Sequence, residues 1–288
     1  MRDVLKLEHV TKRFGGLTAV GDVSFTIKEG EIFGLIGPNG AGKTTIFNLI
    51  TAVYTLTEGT ITFGDRVIAR ADPYGSGFIE GVKRRFLWHP LKPFQIAELG
   101  ITRTFQNIRL FKKLSVYQNV LTACHRSADY GLAVSFLPRK IPFTKIVLPW
   151  AKKISRQEDA LREKTENLLK MMGLWDYREM AAANLPYGLQ RKLEIARALA
   201  LDPKLLLLDE PAAGMNPEET MALLDLIREI RDRFHLTVLI IEHHMDLIMN
   251  LCDRIYVLNF GKFLAEGVPA DIQNNKDVVE AYLGKADE

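Results

Sequence analysis

Residues Val4-Leu5-Lys6-Leu7-Glu8-His9-Val10 alternate apolar and polar, the period of a strand with one buried face. Residues 11–16 then read as a turn, and Val20, Val23, Phe25 and Ile27 resume strand character up to the Lys28-Glu29-Gly30 turn. Residues 31–36 change the pattern to a short apolar run, as expected of a strand covered on both faces. Residues 45–50 open a helix, and residues 58–64 read as another hairpin strand. Together these elements predict an antiparallel sheet lobe packed beside a buried α/β core.

The second half repeats the buried-strand pattern. Residues 204–209 form an apolar strand ending in acid, followed by a helix over about 217–233. Residues 236–241 are the next strand, ending at Glu242-His243, and residues 255–258 begin a hairpin that closes near Leu264. Between the halves, residues 115–126 and 156–172 read as helices. Leu161, Leu168, Leu169 and Met172 form one side of the second, a stripe read as core packing.

Two stretches resist this reading. Residues 129–150 are apolar, but Gly131, Pro138, Pro142 and Pro149 argue against one helix. Residues 71–93 are broken by Pro73, Gly75 and Gly77 and mix cations with aromatics in Lys83-Arg84-Arg85-Phe86-Leu87-Trp88-His89-Pro90. That insertion is either a solvated surface segment with a small apolar anchor or an element that docks on headgroups or a partner.

Composition acts mainly by exclusion. A net charge of +3 over 288 residues gives no general basic footprint for nucleic acid. Cys124 and Cys252 lack metal spacing and read as reduced thiols of a cytosolic protein. The start of the chain lacks the apolar core of a signal peptide. No apolar run approaches the roughly 18 residues of a membrane span, so a membrane role would come through a partner.

The chemistry centres on Gly37-Pro38-Asn39-Gly40-Ala41-Gly42-Lys43-Thr44-Thr45, which satisfies the P-loop pattern between a buried strand and a helix. The glycines let successive backbone N–H groups turn toward a polyphosphate, and the helix start favours its charge. Lys43 brings a point charge to the phosphates, and Thr44 brings a hydroxyl suited to Mg²⁺. Asp209-Glu210 closes a second apolar strand, at the strand end where ligands of such sheets gather. Asp209 suits the metal and Glu210 suits polarising a water.

With these motifs in order, the chain resembles the ATP-binding subunit of ABC transporters along nearly its whole length. Leu185-Pro186-Tyr187-Gly188-Leu189-Gln190 and the helix after it resemble the family signature. Thr104-Phe105-Gln106-Asn107 resembles the Q-loop, Ala213-Gly214-Met215-Asn216 the D-loop and His243 the switch histidine; Phe14 stands where the family stacks an aromatic ring on adenine. The segment Gly100-Ile101-Thr102-Arg103-Thr104-Phe105-Gln106-Asn107-Ile108-Arg109-Leu110-Phe111, the stretch Asp209-Glu210-Pro211-Ala212-Ala213-Gly214-Met215-Asn216-Pro217 and the tail Val278-Val279-Glu280-Ala281-Tyr282-Leu283-Gly284 resemble the larger ATPase subunit of branched-chain amino acid importers.

The resemblance implies a P-loop NTPase with a RecA-like core, an antiparallel β subdomain and an inserted helical subdomain. The expected division is 1–105, 106–190 and 191–288. It implies ATP and Mg²⁺, with Glu210, His243 and Gln106 catalytic and Thr44, Gln106 and Asp209 around the metal. It implies a second ATPase subunit facing Pro186, Tyr187, Gly188, Leu189 and Gln190, membrane permease subunits, and indirectly a solute-binding protein. The chain would lie peripherally on the cytoplasmic face of the inner or plasma membrane, with no nucleic acid.

The related amide, urea and lipopolysaccharide systems use similar ATPases, and a weakly hydrolytic regulatory subunit is a further alternative. A soluble ABC ATPase acting on ribosomes or DNA fits less well, because one P-loop is present and no sustained heptad run. Two positions depart from the signature: Pro186 replaces the family's serine, and Leu189 its glutamine. Proline offers neither hydroxyl nor N–H, so a charge-assisted contact worth roughly 1.5–3 kcal/mol is lost there. The expected result is an asymmetric heterodimer with one weaker site; tolerance of the drift with little effect is the alternative.

Overall fold

The alternating start of the chain forms a hairpin of two long strands, β1 (Asp3–Phe14) and β2 (Leu17–Lys28), in which Leu7 pairs with Phe25. The computed structural model describes residues 2–72, 89–125 and 149–283. The turn expected over residues 11–16 is confined to Gly15 and Gly16, because Thr11 through Phe14 remain in β1. Thr11 is buried and its hydroxyl accepts the Asp22 amide at 3.0 Å, which keeps this polar segment on its partner strand.

β3 (Ile32–Ile36) leads to the P-loop and to helix α1 (Lys43–Ile50). β4 (Glu58–Phe63) and β5 (Arg66–Arg70) complete an antiparallel sheet in the order β2-β1-β4-β5. Only Ile68 of β5 is buried, so its sequence carries no strand pattern. Most of the 71–93 insertion and of the 129–150 stretch lies outside the described residues.

A short helix α2 (Pro93–Glu98), opened by Pro93, precedes β6 (Ile101–Arg103). The chain then enters a compact unit spanning 107–202, which runs past residue 190. It contains α3 (Val116–Cys124), α4 (Pro149–Met171) and α5 (Tyr187–Leu199). Ser115 caps α3 by accepting the Gln118 amide at 3.1 Å. Leu161, Leu168, Leu169 and Met172 are all buried, as the stripe requires. Buried Arg191 pairs with Glu194 at 2.7 Å, and Glu194 also accepts the Arg109 amide at 3.1 Å. That bond ties α5 to the segment ahead of α3.

The remaining unit joins residues 1–106 to 203–288. Its second sheet adds β7 (Leu205–Asp209), β8 (Thr237–Ile241), β9 (Arg254–Asn259) and β10 (Lys262–Gly267), in the order β10-β9-β3-β8-β7-β6. β3, β7 and β8 are buried at every position, and β3 pairs in parallel with β8 and β9. The helices α6 (Pro217–Phe234), α7 (Met245–Leu251), α8 (Pro269–Gln273) and α9 (Lys276–Leu283) belong to the same unit. Asn216 caps α6 by accepting the Glu219 amide at 2.8 Å.

The two sheets share one core. Phe25 stacks on Phe33 with centroids 5.3 Å apart and meets Tyr256 at 5.0 Å. Each fully buried side chain of this kind contributes about 1.5–3 kcal/mol. Because β3, β6, β7 and β8 run parallel, their carboxyl ends lie along one edge, and the P-loop, Gln106, Asp209-Glu210 and His243 lie at or just after such ends, whereas Phe14 ends β1 of the antiparallel sheet. Among the described residues no helix is long and apolar enough to cross a membrane.

Candidate nucleotide-binding site

The P-loop leaves β3 through Gly37, whose φ of 149° and close neighbours exclude any side chain: a Cβ there would lie 2.2 Å from the Leu258 carbonyl oxygen. Gly42, at φ 96°, caps α1 in the left-handed region, and a Cβ there would meet the Ala19 carbonyl at 2.6 Å. The loop therefore has its shape because β2 and β9 press against it. Pro38, Asn39, Gly40 and Ala41 form the bend, closed by the Ala41 amide donating to the Pro38 carbonyl at 3.1 Å.

Lys43 is buried at the first turn of α1, and its ammonium donates to the carbonyls of Gly37 at 2.6 Å and Pro38 at 3.0 Å. Burial lowers its pKa below the ordinary lysine value, opposed by the nearby carboxylates of Glu210 and Asp209. Thr44 is exposed and Thr45 half-buried beside it. The end of the tail helix also reaches this loop. Burial raises the Tyr282 phenol to about 12, partly offset by the backbone amide of Gly37.

Across the sheet, Asp209 ends β7 and Glu210 follows with φ 47°. The Glu210 amide donates to the Ile241 carbonyl at 2.9 Å, which fixes this turn to β8. Gln106 Nε2 donates to Glu210 Oε2 at 2.7 Å, and His243 Nε2 lies 2.6 Å from Glu210 Oε1. Residues from two other stretches of chain thus converge on the nearly buried carboxylate of Glu210. Phe14, half exposed on β1, meets Tyr54 edge-on at 5.2 Å, with the Lys12 ammonium 4.8 Å from its ring.

Two residues of this region escaped the sequence reading. Glu242 is buried and accepts the Ala212 amide at 2.8 Å and the His243 amide at 3.1 Å, so it anchors the turn after Glu210 and the histidine together. Its only signal was its place after an apolar strand, before His243. The Arg103 side chain is nearly buried beside Asp209 and had no signal beyond its motif.

The 186–190 segment belongs to the other unit and is described there. Pro186 sits at the N-cap of α5 with no side-chain cap, and its carbonyl accepts the Gln190 amide at 3.0 Å. Gly188 is buried, Tyr187 is exposed, and Leu189 and Gln190 are half-buried. The Gln190 side chain donates to the Leu185 carbonyl at 2.8 Å.

A glycine loop opening a helix, with an acidic strand end beside it in a parallel sheet, defines a P-loop nucleotide-binding α/β protein. The sequence matches the ABC transporter family over residues 20–213, and the branched-chain amino acid ATP-binding cassette transporter family over residues 264–288. It is 43% identical to the high-affinity branched-chain amino acid transport ATP-binding protein LivG of Salmonella typhimurium, over 98% of each chain. It is 39% identical to BraF, the corresponding protein of Pseudomonas aeruginosa, over 99% of each. The fold is similar to a solved ATP-binding cassette of an ABC transporter in its ADP conformation, with a TM-score of 0.76 and 28% identity, covering 99% of this chain and all of the other. The chain belongs to the ABC transporter ATP-binding family.

Proposed function

We propose that this chain binds ATP with Mg²⁺ and hydrolyses it to power import of branched-chain amino acids. The single observation that carries the hydrolytic reading is Glu210, held by Gln106 and His243 beside the buried ammonium of Lys43. The solute is inferred from the relatives whose names specify branched-chain amino acid transport.

Lys43 and the amides of residues 37–45 would hold the phosphates, and Phe14 would stack on adenine. Glu210 would orient and polarise the attacking water, while His243 would contact the γ-phosphate and stabilise developing charge. The donor set fits Mg²⁺: the Asp209 carboxylate, the Thr44 hydroxyl and the Gln106 amide are hard oxygen ligands, too few for a protein cage. Among the described residues no group of three or more His, Cys, Asp or Glu is placed to hold a metal by itself. A metal that shares its shell with phosphates needs only such a partial set. When bound, Mg²⁺ would neutralise negative charge on the phosphates.

The subunit would act with a second ATPase, each P-loop facing the other's signature, so that ATP favours the closed pair and hydrolysis releases it. Residues 107–184 would carry that motion to permease subunits on the cytoplasmic face of the membrane, with a solute-binding protein beyond them. Pro186 and Leu189 would weaken the composite site that borrows this signature, leaving the site of Lys43 and Glu210 the stronger one.

The test is reconstitution of this chain with its companion ATPase, permeases and binding protein in proteoliposomes. ATP-dependent leucine accumulation, lost on Glu210→Gln, is the expected result. Assembly without leucine uptake, or uptake of another solute class only, contradicts the assignment. Nucleotide binding without turnover in any combination would make the chain a regulatory subunit.

A further inference from the structure

Burying a guanidinium is costly unless its charge is answered, and the Arg103 side chain is nearly buried where neither the phosphate chemistry nor the fold requires a cation. It sits at the end of β6 with its side chain only 6% exposed. One terminal nitrogen lies 2.5 Å from Asp209 Oδ2, and the other donates to Asn48 Oδ1 at 2.7 Å. The guanidinium plane is flanked by two rings, Phe47 at 5.2 Å and Phe105 at 5.1 Å. Each partner belongs to a segment that delivers a residue to the nucleotide site. Phe47 and Asn48 are on α1, behind Lys43 and Thr44; Asp209 ends β7; Phe105 precedes Gln106.

We propose that Arg103 is a positioning residue that serves Asp209 as an internal counter-cation. It holds one carboxylate oxygen in place and balances the charge before any metal arrives, while its two terminal nitrogens and two ring faces tie α1, β7 and the Gln106 segment together. The inference rests on the proposed reading of Asp209 as a Mg²⁺ ligand and adds a residue to it.

The consequence is a dependence on metal that Arg103 keeps low. With the guanidinium present, ATP arriving without Mg²⁺ meets a carboxylate already neutralised in part. Without it, that ATP meets a buried negative charge, and only bound Mg²⁺ relieves the repulsion. The ratio of ATP dissociation constants in EDTA and in Mg²⁺ should therefore rise when Arg103 loses its charge.

The measurement is binding of a fluorescent ATP analogue to the full chain, with EDTA or with excess Mg²⁺, together with the melting temperature of the nucleotide-free protein. In Arg103→Met the EDTA/Mg²⁺ ratio is expected to rise by about tenfold, within the ordinary range of coupling between two sites. Arg103→Lys, which keeps the charge, should stay near the unaltered ratio. In an Asp209→Asn background, adding Arg103→Met should leave the ratio unchanged, because the charge it answers is gone. An unchanged ratio in Arg103→Met, or an equal rise in the Asp209→Asn background, would overturn the proposal.

Should Arg103→Met not fold, the double variant Arg103→Met/Asp209→Asn decides the matter through stability. Removing both charges should restore a folded protein that melts above the single variant. A double variant no more stable than the single one overturns the pairing. Failure of the unaltered chain to bind the analogue in either condition would instead remove the nucleotide reading itself.

Discussion

His243 Nε2 and Glu210 Oε1 lie 2.6 Å apart, and Gln106 reaches the other oxygen of the same carboxylate at 2.7 Å. With φ of 47° at Glu210, the backbone itself turns this side chain away from the strand direction of β7. The histidine is 40% exposed while the glutamate is 9% exposed, so one end of the pair faces solvent and the other is nearly dry.

Removing the imidazole should therefore act on turnover more than on binding. For His243→Ala, ATP affinity is expected to stay within a few fold, with kcat reduced by about 100-fold, the lower range for a positioned proton-transfer or charge-stabilising group. Steady-state kinetics on the assembled ATPase check this, and a kcat within threefold of the unaltered protein would contradict it.

Pro186 caps α5 without a side-chain acceptor for the first-turn amides. Pro186→Ser supplies one, and an N-cap serine is worth about 0.5–2 kcal/mol to a helix. Higher thermal stability of the chain, and faster turnover when it is mixed with the proposed second ATPase, are the expected outcomes. Unchanged turnover with the expected gain in stability would mean that residue 186 does not face a nucleotide.

Gly34 in β3 packs against Cys252: a Cβ at Gly34 would lie 2.9 Å from the Cys252 sulfur. Gly34→Ala should cost about 1–3 kcal/mol through overpacking, and much less in a Cys252→Ala background, where the clashing atom is gone. Urea denaturation of the two single variants and the double variant measures the coupling; additive costs would contradict the contact.

The same packing predicts an alkaline limit to stability. Burial raises the thiol pKa of Cys252 and of Cys124 above the ordinary 9.0. Below that value both states keep the proton, and the thiols' contribution is fully present. Above it only the unfolded chain ionises, so stability falls as pH rises. The urea midpoint should drop as pH rises above about 9, and Cys252→Ala should flatten that slope. A midpoint that rises above about pH 9 would contradict the sign.

The sequence made the P-loop legible because every position in it has a steric or electrostatic reason, and Gly37 and Gly42 occupy conformations that few other residues tolerate. The buried strands were equally readable, since β3, β7 and β8 face protein on both sides. β6 was not: three residues, the last a half-buried arginine, carry no period. Residues 11–14 were misread because their polar side chains look like a turn until the pairing with β2 is known. The Gln106–Glu210–His243 constellation could be named from motifs but not built, because its members are far apart in sequence and only the parallel sheet brings them together. Glu242 was invisible for a different reason: its partners are the Ala212 and His243 backbone amides and the His244 ring, none of which its place in the sequence signals.

The most direct test of the account is ATP hydrolysis by the purified chain, alone and mixed with the proposed second ATPase, beside Glu210→Gln in the same preparations. Turnover that appears chiefly in the mixture and falls by at least about 100-fold on Glu210→Gln, with ATP still bound, is the predicted result. Turnover that survives Glu210→Gln would contradict the assignment of the catalytic carboxylate. Rapid turnover by this chain alone would contradict the asymmetric pairing.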